Sequence, residues 1–174
     1  IALINDTHFG ARNDNPNYAN YFYKFWEEIF FPYLKEHNIK HIIHLGDVLD
    51  RRKFVNFKTL SDFNNKFVYE LKDIHVDIII GNHDTYFKNT NEVNSVTELI
   101  GDRYNNIKIY EEAQEVKFDD LSVLFVPWIN ASNHASTMKK IEESRADICM
   151  GHLEISGFEM MKGMKSEHGY DKSI

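Results

Sequence analysis

Cysteine is nearly absent: Cys149 is the one thiol in 174 residues. An internal disulfide framework is thereby excluded, and the composition fits a reducing, cytoplasmic compartment. Long apolar runs are missing too. A run such as Leu121 to Ile129 is far short of the roughly 20 residues a membrane-crossing helix needs, so no membrane role is expected. Net positive charge is also lacking. The 27 acidic and 20 basic residues leave −7, which argues against a protein held to nucleic acid by bulk charge alone. With no internal repeat, low-complexity tract or Pro/Gly/Ser linker, one domain is expected over 1–174. Apolar residues make up 43% and charged residues 27%, which excludes disordered, collagen-like and coiled-coil classes.

Short apolar runs alternate with helical patterns. Residues 1–5, 41–45, 76–80, 107–110, 115–118, 121–126 and 148–150 read as strands, with Asp119-Asp120 as a hairpin turn. Tyr18, Tyr21, Phe22, Phe25, Trp26, Ile29, Phe30, Tyr33 and Leu34 form a broad helical stripe, with a kink or restart expected at Pro32. Leu60, Phe63, Phe67 and Leu71 mark a second helix, Val93 to Ile100 a third and Ser132 to Arg145 a fourth; residues from Ser156 onward read as loop. The alternation predicts an α/β fold of layered, mixed β-sheets flanked by helices.

Four of these strands end in polar clusters: Asp6-Thr7-His8, Gly46-Asp47-Val48-Leu49-Asp50, Gly81-Asn82-His83-Asp84 and Gly151-His152. Ligands of open α/β sheets bind beyond the carboxyl ends of strands, so the four clusters are expected to converge. Their side chains are oxygen and nitrogen donors suited to manganese, iron or zinc, and no thiolate is among them. Asp6 and His8, two apart on a strand, should face one ion. Asp47 can bridge two cations with its two oxygens, and such a pair can clamp a phosphoryl group. A histidine outside such a cluster is more often a packing residue. His37, His41, His44, His75 and His134 are read that way.

The ordered set D-x-H, G-D-x-x-D, G-N-H-D and G-H resembles the calcineurin-like metallophosphoesterase superfamily over nearly the whole chain. Its protein phosphatases show D-R-G and G-N-H-E, where this chain has Asp50-Arg51-Arg52 and Asp84. The stretches Asn5 to Arg12 and Gly151-His152-Leu153 with Ser156-Gly157 are similar to the DNA-repair nuclease branch, the SbcD-like proteins, and to its bacteriophage members. The resemblance implies an α-β-β-α sandwich and two divalent metal ions, manganese first, with magnesium, iron or zinc as alternatives. It assigns Asp6 and His8 to one ion, Asp47 to the bridge, and Asn82 and His152 to the other. His83 would assist the leaving oxygen and Asp84 would orient His83, while Asp50 stands behind the ligands. It further implies DNA as substrate, an SbcC-like ATPase subunit as partner, and a homodimer. The stripes at Leu60, Phe63, Phe67, Leu71 and at Val93, Val96, Ile100 are the surfaces offered for that dimer. A small-molecule or phosphoprotein phosphatase, or a cyclic phosphodiesterase, is the alternative on the same metal core. The superfamily's G-H-x-H motif is not found, His168 standing alone, and neither are its capping and ATPase-docking regions, so 1–174 is expected to be an incomplete nuclease domain. Arg12, Arg51, Arg52, Lys53 and Lys88 follow the motifs directly and are expected at the rim, where each can take a phosphate.

Overall fold

The computed structural model describes residues 1–174, apart from the side chains of Asp102 and Met160. Strands β1 (Ala2–Ile4), β2 (His41–His44), β3 (His75–Ile79) and β4 (Ile107–Tyr110) form a parallel sheet in sequence order. Parallel neighbours need crossovers, and helices supply them. Between β1 and β2 run α1 (Ala11–Asp14), α2 (Pro16–Phe25), a π-helical turn (Trp26–Phe30) and α3 (Phe31–Glu36). α4 (Phe57–Lys66) lies between β2 and β3, and α5 (Ser95–Leu99) between β3 and β4. α1 is a left-handed turn: Arg12, Asn13 and Asp14 have φ of 56°, 59° and 56°.

The second sheet holds β5 (Gln114–Phe118), β6 (Leu121–Val126) and β7 (Ile148–Gly151). β5 runs antiparallel to β6, and β7 parallel to it. Asp119 takes the left-handed φ of 53° that the tight turn after β5 requires. α6 (His134–Glu143) covers the outer face. Strand alternation sorts the core. Ile42, Val76, Ile78 and Ile107 face the helices, while Ile43, Ile79, Tyr110, Val123 and Phe125 pack between the sheets. Leu124, Val126 and Ile129 pack with Ile141 of α6 on the far side. The layers are thus α-β-β-α, as expected. Each fully buried Ile, Leu or Phe contributes about 1.5–3 kcal/mol.

The abundant aromatics fill the helix-side layer. Phe9 packs on Phe63 with ring centroids 5.0 Å apart, and Trp26 on Phe67 at 5.2 Å. The α-helix restarts at Phe31, after the π-helical turn and with Pro32 in its first turn, as expected. Proline has no N–H and its ring crowds the carbonyl four residues back. The helix widens just ahead of it, with the Phe31 N–H bonding the Trp26 carbonyl. The stripe is broader than the buried face: Tyr21, Ile29 and Tyr33 remain more than half exposed.

The stripes offered for a dimer are largely used inside the chain: Phe63, Phe67, Leu71, Val96 and Ile100 are each at most 3% exposed and belong to its own core, Leu60 is partly buried against it, and Val93 stays exposed. Residues after Ser156 are not plain loop. β8 (Glu159–Met161) and β9 (Met164–Lys165) form a small hairpin, and Tyr170 and Ile174 pack against the outer core.

Candidate metal centre

The loops after β1, β2, β3 and β7 meet at the carboxyl ends of their strands. β1 ends at Ile4, so strand alternation does not place Asp6 and His8. Both have left-handed backbone, φ 52° and 39°, as does Asp47 at 55°. Such conformations cost of order 1–3 kcal/mol each and gather at functional sites. The loops overdetermine them. Asp6 N–H donates to the Gly46 carbonyl at 3.0 Å and His8 N–H to the Asp47 carbonyl at 3.1 Å, continuing the pairing of β1 with β2. A Cβ on Gly81 would stand 2.2 Å from Asp47 Oδ1, so only glycine lets the third loop approach the second.

Asp84 is the hub of this packing. It is fully buried, and its carboxylate accepts from the backbone N–H groups of Asp47, Val48 and Gly81, each at 2.9 Å, and of Leu49 at 3.2 Å. Burial pushes its acid up to about 6, with the amides of Gly81, Leu49 and Val48 pulling the other way. The expectation that Asp84 orients His83 does not match these contacts. The Asp50 carbonyl holds His83, at 2.5 Å from Nδ1. A carbonyl can only accept, so Nδ1 carries the hydrogen and Nε2 is the ring's other functional atom. Asp84 instead positions Asp47.

Donor atoms converge on Asp47 from both sides. Its Oδ1 accepts from His83 N–H at 2.8 Å. Its Oδ2 lies 3.6 Å from His8 Nε2 and 3.5 Å from His152 Nε2. His8 Nε2 is 3.4 Å from Asp6 Oδ1, and His152 Nε2 is 2.9 Å from Asn82 Oδ1. His152 Nδ1 donates to the Leu45 carbonyl at 2.8 Å, which fixes the ring with Nε2 directed at Asn82 Oδ1 and Asp47 Oδ2. One oxygen of Asp47, not two as expected, therefore faces both donor sets.

Ligand atoms at about 2.0–2.2 Å from an ion stand roughly 2.8–3.6 Å apart, a range that takes in the 2.9–3.6 Å found. Asp6, Asp47 and His152 bring ligand atoms within 4.8 Å of one another, and so do His8, Asp47 and His83. The charges agree. The hydrogen bond to His8 lowers Asp6, and the same bond raises His8. Against the opposing effect of burial, Asp47 raises His152 and His152 lowers Asp47. The cluster stabilises positive charge at its centre, so the residues fit divalent cations. Asp50 lies behind them, its Oδ1 3.7 Å from His8 Nδ1.

His44, read from sequence as a packing histidine, supports the site. It is 1% exposed, its Nδ1 accepts from Gly46 N–H at 3.2 Å, and its Nε2 lies 3.0 Å from Thr7 Oγ1. Thr7 in turn donates to the Val48 carbonyl, tying the first loop to the second. Its only sequence signal is a polar residue closing an apolar strand. Burial holds its pKa down at about 3, against 6.5 for a free histidine. Between those values the unfolded chain takes a proton that the folded chain refuses. This contribution to stability is full above pH 6.5 and is lost as pH falls toward 3. From pH 6.5 to 4.5, urea-unfolding free energy should fall by up to about 1.4 kcal/mol per unit more in the wild type than in His44→Asn. Parallel slopes would count against a neutral buried His44.

Arg51 pairs with Asp14, and its guanidinium lies 4.6 Å from the centre of the Phe54 ring. Arg52 donates to Thr85 Oγ1 at 2.9 Å. Arg12 lies 5.9 Å from the Tyr18 ring centre and Lys53 5.6 Å from that of Tyr86, and Lys88 is exposed. Arg51, Arg52, Lys53, Phe54 and Tyr86 line a cleft of about 170 Å³ running from Leu49, next to Asp50. Arg51 and Arg52 thus serve local packing as well as the rim.

The chain is 37% identical over 141 residues to "Exonuclease subunit 1" of Enterobacteria phage T4; the match covers 80% of this chain and 41% of that protein's length. A solved structure of AQ665, a protein of unknown function from Aquifex aeolicus, is similar with a TM-score of 0.42 and 16% identity, over 84% of this chain and 74% of that one. The family model described as calcineurin-like phosphoesterase matches residues 1–172, a span that holds all four ligand loops and both sheets. With donors spaced for divalent cations at the ends of its strands, this chain belongs to the calcineurin-like phosphoesterase family of metal-using enzymes.

Proposed function

We propose that this chain is the catalytic domain of a metal-dependent nuclease that hydrolyses phosphodiester bonds in DNA. The observation that carries the reading is Asp47 Oδ2, set 3.6 Å from His8 Nε2 and 3.5 Å from His152 Nε2. Asp6, His8 and Asp47 hold one cation, and Asp47, Asn82 and His152 hold the other. Manganese is the proposed ion, since the set is mixed imidazole, carboxylate and amide oxygen. Bound there, two such ions supply Lewis-acid charge to the phosphate and lower the pKa of water. The protein does the rest. Asp84 and the amide cradle hold Asp47 in place, and the Asp50 carbonyl fixes the His83 ring. Protonated on both nitrogens, with Nδ1–H kept on the Asp50 carbonyl, His83 then gives its Nε2 proton to the departing oxygen. Arg12, Arg51, Arg52 and Lys88 are the phosphate contacts along the rim.

The nuclease reading is supported by the similarity to a phage exonuclease subunit. On this reading the chain acts in recombination and repair in a phage-infected bacterial cell. It cuts duplex DNA from ends and single strands internally, as a homodimer with an SbcC-like ATPase. Among the described residues no helix is long and apolar enough to cross a membrane. The test is a side-by-side assay of the purified intact protein with manganese on duplex DNA, single-stranded DNA, nucleotide monoesters and cyclic nucleotides. DNA degradation exceeding monoester turnover is expected. Turnover of monoesters or cyclic nucleotides with DNA left intact would replace this reading by a phosphatase or cyclic phosphodiesterase.

A further inference from the structure

We infer a second metal site, for zinc, at the opposite end of the parallel sheet, formed by His41, His75 and Asp77. His41 opens β2 and His75 opens β3, and the parallel register pairs the two directly. Asp77 follows His75 by two residues and so points to the same side of the sheet. That side is the one between the sheets, because the next residues in phase, Ile43 and Ile79, lie in the inter-sheet core. The trio closes the mouth of the sandwich at the end away from Asp47. A strand of four residues, about 13 Å at ~3.3 Å per residue, separates it from the loops of the metal centre.

One nitrogen of each histidine and one oxygen of Asp77 lie within 4.8 Å of one another. His41 Nε2 is 2.5 Å from Asp77 Oδ2, and His75 Nε2 is 3.6 Å from the same oxygen. Zinc with ligands at about 2.0–2.2 Å sets them roughly 3.3 Å apart in a tetrahedron. Small rotations of the half-exposed His75 ring and of His41 meet that spacing. Zinc would take the place of the hydrogen between His41 Nε2 and Asp77 Oδ2: from a neutral ring that proton moves to Nδ1, and from a protonated ring, which already carries one on Nδ1, it leaves to solvent.

The surroundings are those of a ligand set. Asp77 is 2% exposed, and its other oxygen accepts the Tyr110 hydroxyl at 2.7 Å. Metal-bound carboxylates are characteristically held by such a partner outside the ligand shell. Tyr110 is itself 3% exposed, which keeps that hydroxyl from being drawn into water. The rings of His41 and His75 meet edge-on at 4.7 Å, and Phe118 packs against His41 at 5.1 Å, so the His41 ring stays beside Asp77. Two imidazoles and one carboxylate suit zinc, not calcium or magnesium, which take oxygen ligands. The histidine side chains are 23% and 49% exposed, so solvent can fill the fourth position. An ion there ties the starts of β2 and β3 together and stabilises the sandwich at its open end.

The test compares the intact wild-type protein with His75→Ala, whose ring is exposed and lies away from every residue of the metal centre. Each is dialysed against zinc and its metal content measured. Each is then substituted with cobalt, which absorbs strongly in the visible when four-coordinate. The wild type should hold one more zinc ion than His75→Ala and show a cobalt band that the variant lacks. Zinc should also raise the unfolding midpoint of the wild type more than that of the variant. Manganese-dependent hydrolysis should be the same in both. Equal zinc content in the two proteins, or an equal cobalt band, would overturn the site. Failure of the nuclease reading would leave this comparison unaffected, because metal content is read without any substrate.

Discussion

Replacing Asp47 by asparagine is expected to abolish metal-dependent hydrolysis while leaving the fold intact. Asparagine keeps an oxygen that can accept the His83 N–H, so the loop contact at 2.8 Å survives. What is lost is the negative charge at the one oxygen that faces both His8 and His152. Both donor sets then lack their shared anion. Removing a single electrostatic element from such sites costs about 10²–10³ in rate, so loss of support for two ions should exceed ~10³-fold. The measurements are manganese-dependent DNA degradation, manganese uptake by calorimetry, and circular dichroism as the fold control. Activity within a few-fold of wild type would end the two-metal reading.

Exchanging His83 for glutamine should separate binding from turnover. The Asp50 carbonyl takes the hydrogen on Nδ1, which leaves Nε2 as the ring's functional atom. His83 also stands with His8 and Asp47 in a group whose ligand atoms lie within 4.8 Å. Geometry therefore admits two roles, proton donor or ligand, and the variant distinguishes them. A donor that is lost costs about 10²–10⁴-fold in turnover with manganese occupancy unchanged. Occupancy that falls along with rate, seen by calorimetry or anomalous scattering, would make His83 a ligand and remove it from the leaving-group role. Metal content is thus the deciding measurement, since both roles predict a slow enzyme.

The convergence of the candidate site's side chains could be read directly from the chain. Asp6, His8, Asp47, Asn82, His83 and His152 each follow an apolar run, and their donor types are uncommon enough at strand ends that order alone grouped them. The layered α/β fold was legible for the same reason, since the period of the apolar residues separates strands from helices. The strand β4 begins and ends where the pattern puts it, and so does β6. The kink or restart expected at Pro32 came from a covalent fact, the missing N–H, and a new α-helix starts at Phe31.

Where sequence reasoning failed, the deciding contact was distant along the chain. Asp84 was assigned to its neighbour His83, yet it binds the amides of Asp47, Val48 and Leu49, 35 to 37 residues away. Asp6 and His8 were placed by strand alternation, yet left-handed turns place them, held by the loop after β2. The stripe at Phe63 and Phe67 showed which face of α4 was apolar but not what would cover it, and the ring of Phe9 lies against both. His41 and Asp77 are 36 residues apart and carry no motif, so only the parallel register of β2 and β3 brings them to 2.5 Å. Periodicity and residue chemistry are local properties, and a single chain displays them without folding. Which carboxylate meets which amide or imidazole depends on strand register and loop packing, which exist only once the sheets have assembled.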